Sequence, residues 1–339
     1  NGKFNYGGPN VGFVAQVVPR DFVPKPFPDL NGASDEALIG YLKHPSAVYR
    51  LHSQWELVRR GPTEERMAGV LAVAADGDAP LYGRVAALYT VAQLEPASVA
   101  SLSLLYSKQP VLREFVLRAM TDRRGTAEAD SNVLLAGLKD ANPRVRAQAL
   151  ISLGRLGDAK VAAAMLPLTV RETQFAIPTK TPLYNEADPG RVIPHLAVQA
   201  LVAVGGGEDC LKGLDGPYHD GAQWALKYMH RSTAVEGLIK KLSTQRDENQ
   251  RRETLTTLVR LYYREADYKG DWWGTRPDTT GPYYSRAKWE MSEPIAKVMR
   301  TVMADDDTET AKFLQGQLGR HRVSIDGLPA PASVATAED

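Results

Sequence analysis

Cysteine is nearly missing from this chain: Cys210 is the single one among 339 residues. One thiol excludes an intrachain disulfide and a Cys-rich metal site, although it does not fix the redox compartment. No run of 18 apolar residues is present, so no segment reads as a membrane-spanning helix. Neither sign of charge dominates. The 41 Lys and Arg against 40 Asp and Glu leave a formal charge of +1, which excludes the overall basic excess of a nucleic-acid binder while permitting a local basic face. The six histidines stand apart, and none precedes a glutamate. His219-Asp220 is the nearest acid pairing, and one pair does not complete a metal shell. No Gly-rich phosphate loop follows a strand, and Gly205-Gly206-Gly207 reads as a helix cap and turn. The sequence therefore calls for no metal and no cofactor.

What is present is helical periodicity. With 43% hydrophobic and 24% charged residues the chain can bury a large core. From Asp140 to Asp158 one complete unit is legible. Asp140 and Asn142 stand ready to cap, Pro143 suits the first turn, and Gly157 suits the end. Between them Val145, Ala149, Leu150, Leu153 and Leu156 form a buried stripe, with Ala149 small enough for close helix approach.

The same register recurs. Arg146 falls three residues before Ala149-Leu150, and Arg50, Arg84 and Arg113 hold the matching place at steps of roughly 30 residues. Downstream, Ala200 to Gly205 matches Ala149 to Gly154, but Ala197 and Ala222 replace the arginine. A second amphipathic segment precedes each copy, so paired helices stacked as a solenoid are expected. The Pro-x-x-Arg start, the small-residue-plus-Leu middle and the Gly end resemble HEAT repeats over 34–320. That resemblance implies an all-α, right-handed α-α superhelix of about eight helix pairs, on the order of 70 Å long at ordinary helix spacing.

The flanks differ. Residues 1–19 alternate around a Gly-Gly-Pro turn and read as a strand remnant of an upstream domain. A Pro-rich linker is expected at 20–33, and 321–339 has the composition of a tail or linker. Together with residues 268–289 these features are similar to the middle of large bacterial proteins described as membrane-bound dehydrogenase-like, in which a propeller precedes the HEAT segment and a c-type haem domain often follows. The resemblance implies a periplasmic or secreted location and a connector role. The haem does not carry over, because Cys210 is followed by Leu211-Lys212-Gly213.

Two segments break the repeat. Residues 171–191, with Pro178, Pro182 and Pro189, form a loop between the helices of the fifth pair, read either as a packed surface loop or as a binding loop. Residues 268–289 concentrate the candidate docking residues Trp272, Trp273, Arg276, Asp278, Tyr283, Tyr284 and Trp289. Aromatic rings with an arginine make interface anchors or sugar-stacking surfaces, and they also seal the end of a solenoid. No residue there has a nucleophile or base partner. The expected function is thus a non-catalytic scaffold that contacts a protein partner or flanking domains. Carbohydrate binding and a HEAT-like nucleic-acid enzyme are the alternatives, and balanced charge argues against the latter. For the arginines of the second helices, pairing with acids of neighbouring repeats, for example near Asp122, Asp140 and Asp247, is expected over an open basic groove.

Overall fold

The computed structural model describes residues 15, 17–23, 26–94, 99–122, 131–177, 188–270, 285–305 and 308–329. Among them sixteen α-helices follow one another in eight pairs. These are α1 (Asp35–Tyr41) with α2 (Ala47–Arg60), α3 (Glu64–Ala75) with α4 (Leu81–Leu94), α5 (Val99–Lys108) with α6 (Arg113–Thr121), and α7 (Ser131–Gly137) with α8 (Pro143–Leu156). The remainder are α9 (Ala162–Met165) with α10 (Val192–Val204), α11 (Gly207–Gly213) with α12 (His219–Leu226), α13 (Ser232–Thr244) with α14 (Glu248–Leu261), and α15 (Ser292–Asp305) with α16 (Thr308–Arg320). The second helices form an unbroken layer in which each packs on the next, from α2 through to α16. First helices lie against their partners, and α9, α11, α13 and α15 also touch in succession. The architecture is an all-α superhelix.

The unit legible in sequence shows why each pair folds. Asn142 caps α8 by accepting the Arg144 N–H at 3.0 Å, Pro143 occupies the first turn, and Gly157 takes the left-handed conformation at φ 75°. Val145, Ala149, Leu150 and Leu153 are buried on the face toward α6, α7 and α10. Gly154 approaches so closely that an added Cβ would stand 3.3 Å from the Ala200 Cα. Thr121 donates to Ser152 at 2.9 Å and Ser152 to the Leu117 carbonyl at 2.9 Å, so the polar atoms buried between α6 and α8 satisfy one another.

Three places depart from the sequence expectation. Gly205 does cap α10 at φ 73°, but Gly207, read with its two neighbours as a cap and turn, already opens α11. The segment read as one first helix around Ala162 is broken into short turns, with Pro167 near the start of the last, because proline donates no hydrogen bond. Beyond α16, where a tail was expected from 321, Val323 and Ile325 are buried and Leu328 packs on the core. Of the expected N-terminal strand, residues 15 and 17–19 carry no strand pairing, and the remainder lies outside the described residues. Within the linker expected at 20–33, Leu30 is buried, and Arg60 donates to its carbonyl.

Candidate functional site

The aromatic insertion is built from the end of α14 outward. A two-residue antiparallel ladder pairs β1 (Arg264–Glu265) with β2 (Arg286–Ala287), in the register Arg264 with Ala287 and Glu265 with Arg286. The Ala266 N–H extends it, donating to the Ser285 carbonyl at 2.8 Å. Trp289 fastens this base to the solenoid. Its indole N–H donates to the Leu261 carbonyl at 2.8 Å, its ring packs on the core, and the His230 ring stands edge-on at 5.6 Å. Ser292 completes the joint by accepting the Trp289 backbone N–H at 2.9 Å and donating to the Tyr262 carbonyl at 2.6 Å. Two carbonyls at the end of α14 are thereby satisfied, that of Leu261 by Trp289 of the insertion and that of Tyr262 by Ser292 of α15. Trp272, Trp273, Arg276, Asp278, Tyr283 and Tyr284 lie outside the described residues, so Trp289 is the one of the seven expected residues whose surroundings are seen.

The second insertion is clamped in the same manner. Arg171 reaches both carboxylate oxygens of Asp188, at 3.1 and 2.9 Å, and the carbonyls of Phe175 and Ala176. The Arg171 guanidinium holds the Asp188 carboxyl below its usual range. The Glu172 N–H donates to the Gly190 carbonyl at 3.0 Å, which closes the loop at its neck. Residues 178–187 lie outside the described residues.

The arginine register turns out to be a wiring plan. Arg50 donates to the carbonyls of His44 and Pro45, Arg113 to Tyr106, Arg146 to Asp140 and Ala141, and Arg251 to Leu242. Arg50 and Arg146 thus cap the turn that follows the first helix of their pair, whereas Arg113, Arg251 and Arg84, the last through the Ala74 carbonyl, cap the final turn of that helix. Four of them also reach forward into the next repeat. Arg50 lies over the Tyr82 ring at 4.4 Å, Arg84 bonds Gln109 at 2.6 Å, Arg113 bonds Asp140 at 2.9 Å, and Arg146 bonds Glu172. The line stops where Ala197 and Ala222 take the position, and both are fully buried. Arg155 pairs with Asp122 at 3.0 Å, and Asp247 caps α14. At the first repeat Arg59 and Arg60 hold the Glu56 carboxyl down to about 2.

Chemistry is scarce among the described residues. Cys210 is fully buried, and burial with the nearby Asp209 pushes its thiol up to about 12, the reverse of a nucleophile. Both ring nitrogens of His219 are engaged at 2.7 Å, one with the Leu214 carbonyl and the other with Glu253. Among the described residues no three His, Cys, Asp or Glu side chains converge as a metal site. Two depressions among the described residues are open and mostly apolar. One of about 580 Å³ lies between α8 and α10 beside Ile151, Gly154, Leu196 and Ala203, and another of about 440 Å³ lies among α13, α14 and α15 beside Ile239, Val298 and Val302. No helix of the described residues is long and apolar enough to cross a membrane.

A family model for HEAT repeats matches residues 99–175, spanning the unit first legible in sequence. No curated protein matches the chain. Among solved structures, importin beta is similar at 12% identity over 86% of this chain, with a TM-score of 0.42. The chain spans 39% of that importin chain. The complex of CpcE and CpcF of phycocyanin lyase from Nostoc sp. is similar at 16% identity, with 92% of this chain and 95% of that chain covered and a TM-score of 0.27. An engineered protein is similar at 16% identity over 85% of this chain and 96% of its own, with a TM-score of 0.23.

Proposed function

We propose that this chain is a non-catalytic docking module whose solenoid anchors the two ends of the insertion at 268–289, which meets a protein partner or a flanking domain. The observation that carries this is the joint at the base of the insertion. A loop that only sealed the core would need no ladder, whereas Trp289, Ser292 and the β1–β2 pair together fix where the loop leaves the solenoid. Fixing both ends of a binding loop on a packed helical frame lowers the ordering cost of association. The scarcity of activated groups among the described residues favours binding over bond-making. By the resemblance drawn from sequence, the module belongs to a larger exported redox protein, in the periplasm or outside the cell.

The test is a photo-crosslinking residue at position 273 in the product of the complete reading frame. The expected product joins position 273 to another domain or to a second protein, and fractionation places the product outside the cytoplasm. Cross-links confined to helices of this solenoid would overturn the docking role. Retention of an oligosaccharide by the insertion, lost on Trp272→Ala and Trp273→Ala, would replace docking by carbohydrate binding.

A further inference from the structure

The C-terminal ends of three successive second helices meet on one surface. α12 runs out into Lys227 and Tyr228, α14 into Tyr262, Tyr263 and Arg264, and α16 into His321 and Arg322. Their contacts are direct. Arg260 donates through Nε to the Lys227 carbonyl at 3.1 Å and lays its guanidinium over the Tyr228 ring, 4.3 Å from the centroid. Arg286, from β2, lies over the Tyr263 ring at 5.1 Å and donates to the Arg322 carbonyl. His230 links the Tyr263 carbonyl, at 2.9 Å, to the edge of Trp289. Arg264, Arg286, Lys288 and Arg320 are exposed, and Tyr228 shows 42% of its surface.

This surface breaks the rule followed by most arginines along the solenoid. Arg59 pairs with Glu56, Arg113 with Asp140, Arg118 and Arg155 with Asp122, Arg146 with Glu172, and Arg252 with Glu248. Lys227, Arg260, Arg264, Arg286, Lys288 and Arg320 have no carboxylate within ion-pair distance among the described residues. Carboxylates stand near these cations as well: Glu265, opposite Arg286 in the ladder, Asp267 two residues on, Glu290 two residues past Lys288, and Asp326, whose charge acts on Lys288. They leave the cations in excess. The excess is felt at His321, where burial lowers the affinity for a proton and Arg260, Arg320 and Lys227 lower it further.

Helix ends attract cations, because unpaired carbonyls leave partial negative charge there. That accounts for one N–H of Arg260 and one of Arg286, and a guanidinium carries five. No partner for their other N–H groups lies among the described residues, while Lys288 bonds the Tyr262 side chain. Such a set matches planar carboxylates, which an arginine grips two atoms at a time. It does not match a nucleic-acid backbone. A phosphate track needs cations continued along the array, and farther along the second helices Arg118 and Arg155 are already paired with Asp122.

We propose that this cationic collar, at the foot of the aromatic insertion, recognises an acidic peptide segment of a partner protein. The proposal rests on the docking role above and narrows the partner. Carboxylates of the segment engage Arg264, Arg286 and Lys288, and an aromatic or aliphatic side chain lies along Tyr228.

The test is fluorescence anisotropy of the full chain with a labelled glutamate decapeptide carrying a central tyrosine, its glutamine counterpart, and oligothymidylate. The glutamate peptide is expected to bind, the glutamine peptide to fail, and added salt to weaken the complex. Arg264→Glu with Arg286→Glu is expected to weaken binding about tenfold or more, as two exposed pairs become repulsive. Should that variant melt early, Arg264→Glu with Lys288→Glu leaves the Arg286 bond to the Arg322 carbonyl intact and is expected to show the same loss. Equal binding of the two peptides, or indifference to both charge reversals, would overturn the proposal. Tighter binding of oligothymidylate with the same sensitivity would replace the peptide by nucleic acid. A failed peptide with an undiminished cross-link at position 273 removes only the acidic partner, whereas loss of that cross-link removes docking itself.

Discussion

At the scale of single residues, the arginine three places before the small-residue–leucine pair serves stacking by bonding in two directions. Arg146 ties the turn before α8 to Glu172 at the neck of the next insertion, and it is only 15% exposed. Its register was legible because the sequence repeats it. Its partners were not, since carbonyls of a turn carry no sequence signature. Arg146→Leu is expected to cost about 1–3 kcal/mol of unfolding free energy, the range for hydrogen bonds to charged groups, read from urea denaturation. Arg146→Lys should recover only part, because a point charge cannot reach both directions as a planar fork does. Full recovery by lysine would show that charge alone matters there. Cys210 makes a simpler case. Buried and with its thiol pushed up to about 12, it should react with a disulfide reagent only after unfolding, so labelling should track the urea transition. Labelling in native buffer at the rate of a free thiol would place it at the surface.

At the scale of elements, the periodic segments were readable and the short ones were not. α8 announces itself through Asn142, Pro143, its apolar stripe and Gly157, all local signals. α11 did not, because three successive glycines read as a stop. Packing explains them: a Cβ at Gly206 would meet the Ala162 Cβ at 2.5 Å, and one at Gly207 would meet the Ala234 Cβ at 3.2 Å. A close approach between repeats is invisible to periodicity. The insertion at 268–289 was found as a break in the register, but the collar beneath it was missed because its residues are scattered over four segments. The interleaved basic and aromatic runs Lys227-Tyr228, Tyr262-Tyr263-Arg264 and Arg286-Ala287-Lys288-Trp289 were the available signal. Trp289→Ala is expected to cost about 3 kcal/mol, because it removes a large ring packed on the core and the bond to Leu261. Replacing residues 267–284 by Asn-Gly should leave thermal stability nearly unchanged, since the Ala266–Ser285 pair suits closure by a two-residue turn. A large fall in melting temperature would make the insertion part of the core and take away its role in docking.

At the scale of the molecule, a solenoid is held by nearest-neighbour junctions, so its behaviour follows the weakest of them. Apolar contact dominates between α8 and α10, where ALISLG meets ALVAVG across Gly154 and Ala200. Between α12 and α14 the polar contribution is larger. His219 bonds Glu253 at 2.7 Å, and Gln223 donates to the Glu253 carbonyl at 2.9 Å and to Thr257 at 2.6 Å. Burial resists charging of His219, but the Leu214 carbonyl and the Glu253 carboxylate outweigh it and raise its pKa above the ordinary 6.5. A group with a raised pKa in the folded state contributes its full stabilisation below the unfolded value, and that contribution fades as pH rises through the folded value. The junction should therefore weaken from about pH 6.5 upward. His321 runs the other way, since its lowered pKa makes the fold less stable as pH falls below 6.5. Comparing the native chain with His219→Gln at each pH cancels the His321 contribution. The difference in melting temperature between the two should be larger at pH 6 than at pH 8.5, with hydrogen exchange in α14 rising in parallel in the native chain. A difference independent of pH would mean that the His219–Glu253 contact is held as a neutral hydrogen bond, and that charge has no part in joining these repeats.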